Sequence, residues 1–443
     1  AGLAIYFVTP SDMFPDAVPD GLRRFAEAQN FQAKAGTFIL MPDQEGTPTM
    51  VLAGLGSTRN PLNIAALSAK LPTGTYSIAY KPEDWPLGWI AAGWEDGCYH
   101  FGKYKDRPEK APILCLPDSS GRAGLIQEAE AAHWLRDLIN TPAEDMGPSQ
   151  IEAEMQALAE AHKADLTIIK GDALLAENYP MIHAVGRAAK EAPRLIKLCW
   201  GNTQHPELAL VGKGVAFDTG GLNLKTGNFM RLMKKDMGGA AHAMALARLI
   251  MGANLPVSLK LYIPAVENAI SGGAFRPGDV LSSRKGLKIE IDNTDAEGRL
   301  ILGDALCHAC ESKPDLILDF ATLTGAARVA LGPDLAPFFT DEETLSDSLL
   351  SAARASGDPV WRLPLWDPYL SYLDSSVGDI SNAGGRMGGA ITAALFLKQF
   401  VDISSWIHFD VWGWREAKYG QPQGGAPCGL RAVWHMLQAR YAS

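Results

Sequence analysis

Apolar residues fall into two kinds of run along the chain. Up to about residue 120 they form short, separated stretches, Leu3–Val8, Thr37–Met41, Met50–Leu55, Thr75–Tyr80 and Ala111–Leu116, set apart by Pro- and Gly-rich turns and reading as strands. Helical spacing intervenes over Asn63–Ala69 and Leu87–Glu95. The pattern predicts a small α/β domain over residues 1–120. It gathers no cluster of catalytic residue types, so its expected role is assembly or control of access.

From Gly121 to Ile139 the residues Leu125, Ile126, Ala129, Ala132, Leu135 and Leu138 recur on one helical face, which Asn140-Thr141-Pro142 ends. Residues 121–144 therefore read as a helical linker. Beyond it, residues 145–443 alternate near-continuous apolar runs with helical patterns such as Gly239–Met251 and Leu300–Glu311. The runs are Leu166–Ile169, Leu195–Cys199, Leu208–Val211, Leu259–Ile263, Leu316–Phe320 and Ile407–Val411, as expected of strands buried on both faces. The fold class expected is α/β: a small N-terminal α/β domain, then a C-terminal catalytic domain with a mostly parallel sheet sandwiched by helices. Such sheets place ligands at the carboxyl ends of their strands.

Composition narrows the function. Lysine and arginine number 40 against 50 acids, a formal charge of -10, which argues against a general affinity for nucleic acid or anionic membrane. No apolar run reaches the length of a bilayer span, and the apolar start Leu3–Val8 lacks the basic flank and cleavage pattern of a signal peptide. Cys98, Cys115, Cys199, Cys307, Cys310 and Cys428 are scattered in mostly apolar surroundings, as reduced thiols of a cytoplasmic protein would be. Cys307-His308-Ala309-Cys310 has zinc-ligand spacing, but it is a single pair inside a helical pattern and reads as core.

Candidate chemistry concentrates in three stretches. Ile289 to Leu302 begins with alternating apolar and acidic residues, a strand pattern, and changes after Gly298 to that of a buried helix. Asp295 and Glu297, two apart in a segment expected to be extended, should point their carboxylates to one side, with Arg299 following. Turn and N-cap roles are the alternative for these residues. In Val211–Lys225 a buried strand runs into a glycine-dense loop carrying Lys213, Asp218 and Lys225. A phosphate cradle is the rival reading there, but the spacing fits no Walker pattern and an acid sits where phosphate needs donors. In Met230–His242, Asp236 precedes a small-residue helix and alone would read as an N-cap, while His242 reads as a packed helix histidine. The stretches jointly supply Asp218, Asp236, Asp295 and Glu297 with Lys213, Lys225 and Arg299. Carboxylates sharing a site raise one another's pKa unless cations intervene. Two divalent ions bridged by shared carboxylates would satisfy them, an arrangement used in hydrolysis.

Asn293-Thr294-Asp295-Ala296-Glu297-Gly298-Arg299-Leu300 resembles the signature octapeptide of the leucyl aminopeptidases, the di-zinc cytosol aminopeptidase family, peptidase family M17. The similarity extends to Asp137–Pro142, Val211–Lys225, Met233–Ala241, Asp319–Ala326 and Ser381–Gly385, covering about 125–443; the first 120 residues resemble the family only loosely. The resemblance implies that Asp218 and Glu297 bridge two metals, that Lys213 and Asp236 complete one shell and Asp295 the other, and that Lys225 and Arg299 are a catalytic pair outside the metal shells. It implies that Met233, Asn293, Thr322, Leu323 and Gly325 line the side-chain pocket or hold substrate backbone; Ala393 is a further pocket candidate. These pocket residues are mostly apolar or small, so a preference for N-terminal Leu, Met or similar residues is expected. The implied cofactors are two divalent ions per chain, zinc foremost and manganese or magnesium also compatible, with bicarbonate held by Arg299 as proton shuttle. The implied partners are peptides with a free N-terminus and other copies of the chain in a cytoplasmic homohexamer. The alternative is a nucleic-acid-binding regulator on the same scaffold, as some relatives are, against which the acidic total counts.

Overall fold

The computed structural model describes residues 2–106, 111–117, 121–385, 387–421 and 423–442, and the chain divides into two compact units, 1–133 with 416–424 and 134–415 with 425–443. The first unit holds a five-stranded sheet in the order Phe38–Pro42, Pro48–Gly54, Leu3–Val8, Thr75–Tyr80, Ile113–Cys115. Only Phe38–Pro42 pairs antiparallel. Side chains of Leu3–Val8 alternate between two cores, Ile5 and Phe7 joining Trp85 and Trp94 while Tyr6 and Val8 join Leu22 and Phe31. The expected helices are present as Leu62–Ser68 and Leu87–Cys98. A further helix, Asp20–Ala28, went unforeseen because it buries only Leu22 and Ala26 among charged residues. The helix expected after residue 121 is Arg122–Asn140.

The second unit is built on a nine-stranded sheet. Eight follow the order Val360–Arg362, Ala336–Phe339, Trp406–Asp410, Leu316–Ala321, Glu207–Gly212, Ser258–Asn268, Arg194–Trp200, Asp165–Lys170. The central strands Trp406–Asp410, Leu316–Ala321, Glu207–Gly212 and Ser258–Asn268 are mutually parallel. Helix Glu297–Glu311 packs on the face bearing Ala209, Val211 and Ile317. Helix Gly238–Gly252 takes the opposite face, where Gly212 lies against Ala240 and Ala243. The sheet is thus sandwiched as expected, with antiparallel strands toward its margins.

Two expectations fail. Leu166–Ile169 is not buried on both faces: it lies in the edge strand Asp165–Lys170, where Ile168 is 38 % exposed. The strand expected from Ile289 through Glu297 stops at Glu290 and belongs to a separate three-stranded sheet, Val280–Ser282, Lys288–Glu290 and Ile380–Ser381. It stops because side chains take over the backbone donors that a ladder would use. Asn382 Oδ1 accepts from the amides of Asp292 (2.9 Å) and Asn293 (3.1 Å), and Asn293 Oδ1 accepts from that of Asp295 (2.8 Å). Asp295 therefore sits in a turn and Glu297 opens the helix.

The six cysteines are free thiols. Cys307 and Cys310 lie within helix Glu297–Glu311, and His308 between them pairs through Nδ1 with the Tyr179 hydroxyl at 2.7 Å, a core arrangement. Among the described residues no helix is long and apolar enough to cross a membrane.

Candidate metal centre

The centre begins with an interrupted strand. Glu207–Gly212 ends, one residue intervenes, and Gly214–Asp218 resumes against the same neighbour, Ser258–Asn268. The intervening residue is Lys213. Its amide donates to Phe320 O (2.9 Å) and its carbonyl accepts from the Ala240 amide (2.8 Å), which fixes its main chain between a strand and a helix. Room for the side chain comes from Gly298: a Cβ there would stand 2.5 Å from Lys213 Cε.

The side chain reaches into a buried set of charges. Lys213 Nζ lies 2.7 Å from Asp236 Oδ2 and 2.9 Å from Glu297 Oε1, and donates to Thr322 O at 3.0 Å. Asp218, at the end of its strand, accepts at Oδ1 from the Gly220 amide and from Asn268 Nδ2, both at 2.8 Å. Its Oδ2 lies 2.8 Å from Lys225 Nζ, which also contacts Asp295. Asp236 closes the 3-10 helix Gly227–Met237 and accepts from Thr322 Oγ1 at 2.7 Å. It is no N-cap; its carboxylate turns into the cluster instead.

Several of these charge contacts are close yet miss hydrogen-bond alignment. Asp236 Oδ2, Asp295 Oδ1 and both Glu297 oxygens are consequently buried without a hydrogen-bond donor. Ligand atoms of Asp218, Asp236 and Glu297 all lie within 4.8 Å of one another, the one such group of His, Cys, Asp or Glu among the described residues. Buried carboxylate oxygens lacking donors are costly unless a cation completes them. Carboxylate oxygens with one lysine nitrogen suit hard or borderline divalent ions, so these residues fit the metals implied by the sequence.

Protonation follows the crowding. Burial, and after it the charge of Asp218, pushes Glu297 well above the ordinary carboxylate range, and the same two causes raise Asp295 to about 6. Asp236 is also pushed up by burial, but Lys213 and then Lys235 more than offset this and hold it low. Burial disfavours charge on Lys213, yet Asp236, Glu297 and Asp218 raise it above a normal lysine. Lys225 is likewise raised, by Asp218, Glu297 and Asp295 against its burial.

The remaining expected site residues lie close by. Arg299, in the first turn of helix Glu297–Glu311, donates from Nη1 to Asn382 O at 2.7 Å, and burial lowers it to about 10. Thr322 touches Asp236, and Leu323 and Gly325 follow it at the carboxyl end of Leu316–Ala321. Gly325 faces open space, with nothing within 4 Å of where a Cβ would stand. Met233 is nearly buried, and Asn293 shapes the Asp295 turn. Ala393 is fully buried, so it lines no open pocket. His242 is a packed histidine as expected: Nδ1 pairs with Gly238 O (2.6 Å) and Nε2 accepts from the Cys428 amide (2.9 Å).

Sequence reasoning assigned no role to Asn268, Thr294, Asn382 and Asp410. Thr294 Oγ1 donates to Gly220 O (2.7 Å) and accepts from the Asn223 amide (2.8 Å), tying the octapeptide to the glycine loop. Asp410 accepts at Oδ1 from the Leu323 and Thr324 amides (3.0 Å each) and at Oδ2 from Thr324 Oγ1 (2.6 Å). Asn382 and Thr294 lie in motifs that were recognised, whereas Asn268 and Asp410 carry no local signal.

Comparison with known proteins bears on the same residues. The catalytic-domain model of the cytosol aminopeptidase family matches residues 133–433, and a model for the M17 aminopeptidase N-terminal domain matches 13–117. The first unit is therefore closer to the family than its sequence suggested. A probable cytosol aminopeptidase of Xanthomonas campestris is 42% identical over 434 residues, 92% of this chain and 88% of its own length. One from Roseiflexus castenholzii is 33% identical, over 96% and 94%. Among solved structures, the cytosol aminopeptidase from Coxiella burnetii superposes with a TM-score of 0.93 at 43% identity, covering 99% of this chain and 97% of that one. The bottromycin maturation enzyme BotP in complex with Mn superposes at 0.88 with 30% identity, covering 99% of each.

Proposed function

The chain belongs to the cytosol aminopeptidase family and is a metal-dependent aminopeptidase, and from that premise we propose that it removes the N-terminal residue of peptides with two divalent ions. Asp218 and Glu297 would bridge them, Asp236 and Lys213 would complete one shell, Lys213 giving up to the dication's charge the proton that the carboxylates otherwise hold on it, and Asp295 would complete the other. The observation that carries this reading is the set of buried carboxylate oxygens, on Asp236, Asp295 and Glu297, that have no hydrogen-bond donor. Zinc is the ion favoured by the resemblance; a complex of BotP with Mn supports manganese as a second choice. When bound, such a pair lowers the pKa of water to near neutrality and polarises a carbonyl.

The chain's own residues supply the rest. Lys225 is held charged and partly open, with 14% side-chain exposure, so it can donate to the substrate carbonyl oxygen as negative charge develops there. A donor of this type is worth about 2.7–4 kcal/mol in comparable sites. Arg299, anchored by Asn382, would hold bicarbonate as the proton shuttle. Met233, Thr322, Leu323 and Gly325 would receive the substrate's first side chain, and Asn293 would hold its backbone. The apolar members favour Leu or Met; such a pocket separates neighbouring aliphatics by only about 1–3 kcal/mol. We further propose a homohexamer in the cytoplasm, with the first unit serving assembly or access.

Hydrolysis of leucine p-nitroanilide beside its N-acetylated form, before and after chelation and with zinc or manganese restored, tests the reading. Cleavage of the free-amine substrate alone, lost on chelation and recovered with metal, is expected. Cleavage of the acetylated form, or no cleavage with either metal, refutes it.

A further inference from the structure

The pocket stretches carry two cationic groups that the hydrolytic machinery does not use. Lys235, two residues after Met233, is only 3% exposed, and its Nζ stands 4.0 Å from the centroid of the Trp412 ring. Arg328, three residues after Gly325, places its guanidinium carbon 4.4 Å from the same ring. Trp412 adjoins the pocket wall: a Cβ on the next residue, Gly413, would stand 3.5 Å from Thr322 Cγ2. A small cavity beside it is lined by Thr324, Arg328, Asp410 and Trp412.

Among the described residues, none accepts a hydrogen bond from the Lys235 ammonium. The carboxylates whose charge reaches it, Asp236 and Asp410, make no hydrogen bond with it: Asp236 Oδ1 accepts from Thr322 and its Oδ2 faces Lys213 at 2.7 Å, while Asp410 accepts from the Leu323 and Thr324 amides and the Thr324 hydroxyl. The indole face offsets part of the desolvation of a buried ammonium, but a cation–π contact returns only about 2 kcal/mol where burial costs several. An anion would supply the remainder. Arg328, on the same indole, offers a planar set of donors suited to a carboxylate.

We infer that Lys235 and Arg328, stacked on Trp412, form a subsite for a carboxylate of the peptide substrate. The inference rests on the aminopeptidase reading and refines its pocket: apolar along Met233 and Leu323, cationic at Trp412. The first source of that carboxylate is the side chain of an N-terminal Glu or Asp. The C-terminus of a short peptide presents the same chemistry.

The test uses the metal-loaded full chain on the p-nitroanilides of Glu and Leu, and on Leu-Gly beside Leu-glycinamide. Expected is cleavage of the Glu substrate, with its kcat/KM relative to Leu falling about ten-fold or more in Lys235→Met and in Arg328→Ala. The ratio removes any general effect of a change beside Asp236. A fall seen instead in Leu-Gly relative to Leu-glycinamide supports the subsite and assigns it to the C-terminal carboxylate. Both ratios unchanged in both variants overturn it. If Lys235→Met does not fold, Arg328→Ala, altered at an exposed side chain, decides alone. Wild-type protein inactive on every free-amine substrate refutes the aminopeptidase reading, and the subsite with it.

Discussion

Gly298→Ala tests whether the place of Lys213 governs the centre. The added methyl would stand 2.5 Å from Lys213 Cε and 2.8 Å from both Cδ and Nζ, where ordinary contact begins at 3.4 Å. The lysine must retreat by about 1 Å, and a misplacement of ~1 Å can cost ~100-fold in rate. It has no slack, because Nζ is held at 2.7 Å by Asp236, at 2.9 Å by Glu297 and at 3.0 Å by Thr322 O. The helix itself should tolerate the change: Gly to Ala within a helix gains about 0.5–1 kcal/mol, against about 1–3 kcal/mol for overpacking. Net destabilisation of at most about 2.5 kcal/mol leaves most domains folded. Expected, then, are a kcat/KM on leucine p-nitroanilide lower by about 100-fold and a metal content reduced after dialysis, with a cooperative thermal transition retained. Wild-type activity and metal content in the variant would refute the reasoning. So would global unfolding, which the clash with a side-chain end does not account for.

Lys213→Arg should bind one ion per chain instead of two by elemental analysis, because guanidinium does not give up a proton to ligate; two ions would remove Lys213 from the shell. Asp410→Ala strands the half-buried Leu323 and Thr324 amides at up to about 1–3 kcal/mol each, whereas Asp410→Asn keeps an acceptor for both and should recover most of that stability and of kcat/KM. Equal losses in the two variants, by urea unfolding and by rate, would sink that positioning role. His242 is lowered by burial from 6.5 to about 4, so between those values the unfolded chain takes up a proton that the native chain refuses. Stability from this group is present above pH ~6.5 and is lost as pH falls toward 4, by about 3 kcal/mol. His242→Gln should flatten the slope of unfolding free energy over that window, and an unchanged slope would be the contrary result.

The sequence revealed most about regions where chemistry is local. Buried parallel strands such as Glu207–Gly212 and Leu316–Ala321 announce themselves as continuous apolar runs, and the strand-to-loop motifs carry Lys213, Asp218 and Lys225 within a few residues of each other. The octapeptide misled where its backbone donors are satisfied by Asn382, some ninety residues away, so that alternation read as a strand through Glu297 belongs in fact to a turn and a helix start. The edge strand Asp165–Lys170 looked like an interior one because its composition reflects β propensity and not its place in the sheet. Asp410 and Asn268 were missed because each acts through partners distant in sequence, Thr324 and Asp218. Lys235 carries no local signal either, because the indole it stands over, Trp412, is distant in sequence.

The interruption at Lys213 bears on how this centre can change over generations. Both backbone polar groups of that residue are engaged, and its flanking glycines lie so close to other chains of atoms that a Cβ would meet Ala240 Cα or Pro264 O at 2.7 Å. The socket is therefore made by main chain, before any side chain is chosen for it. A replacement at position 213 alters what the socket presents while the crossing of strand and helix that forms it persists. Reactivity can drift here while the crossing stands, whereas Gly212 and Gly214, which present no functional group at all, are the positions where an added side chain would meet main chain and drift is closed.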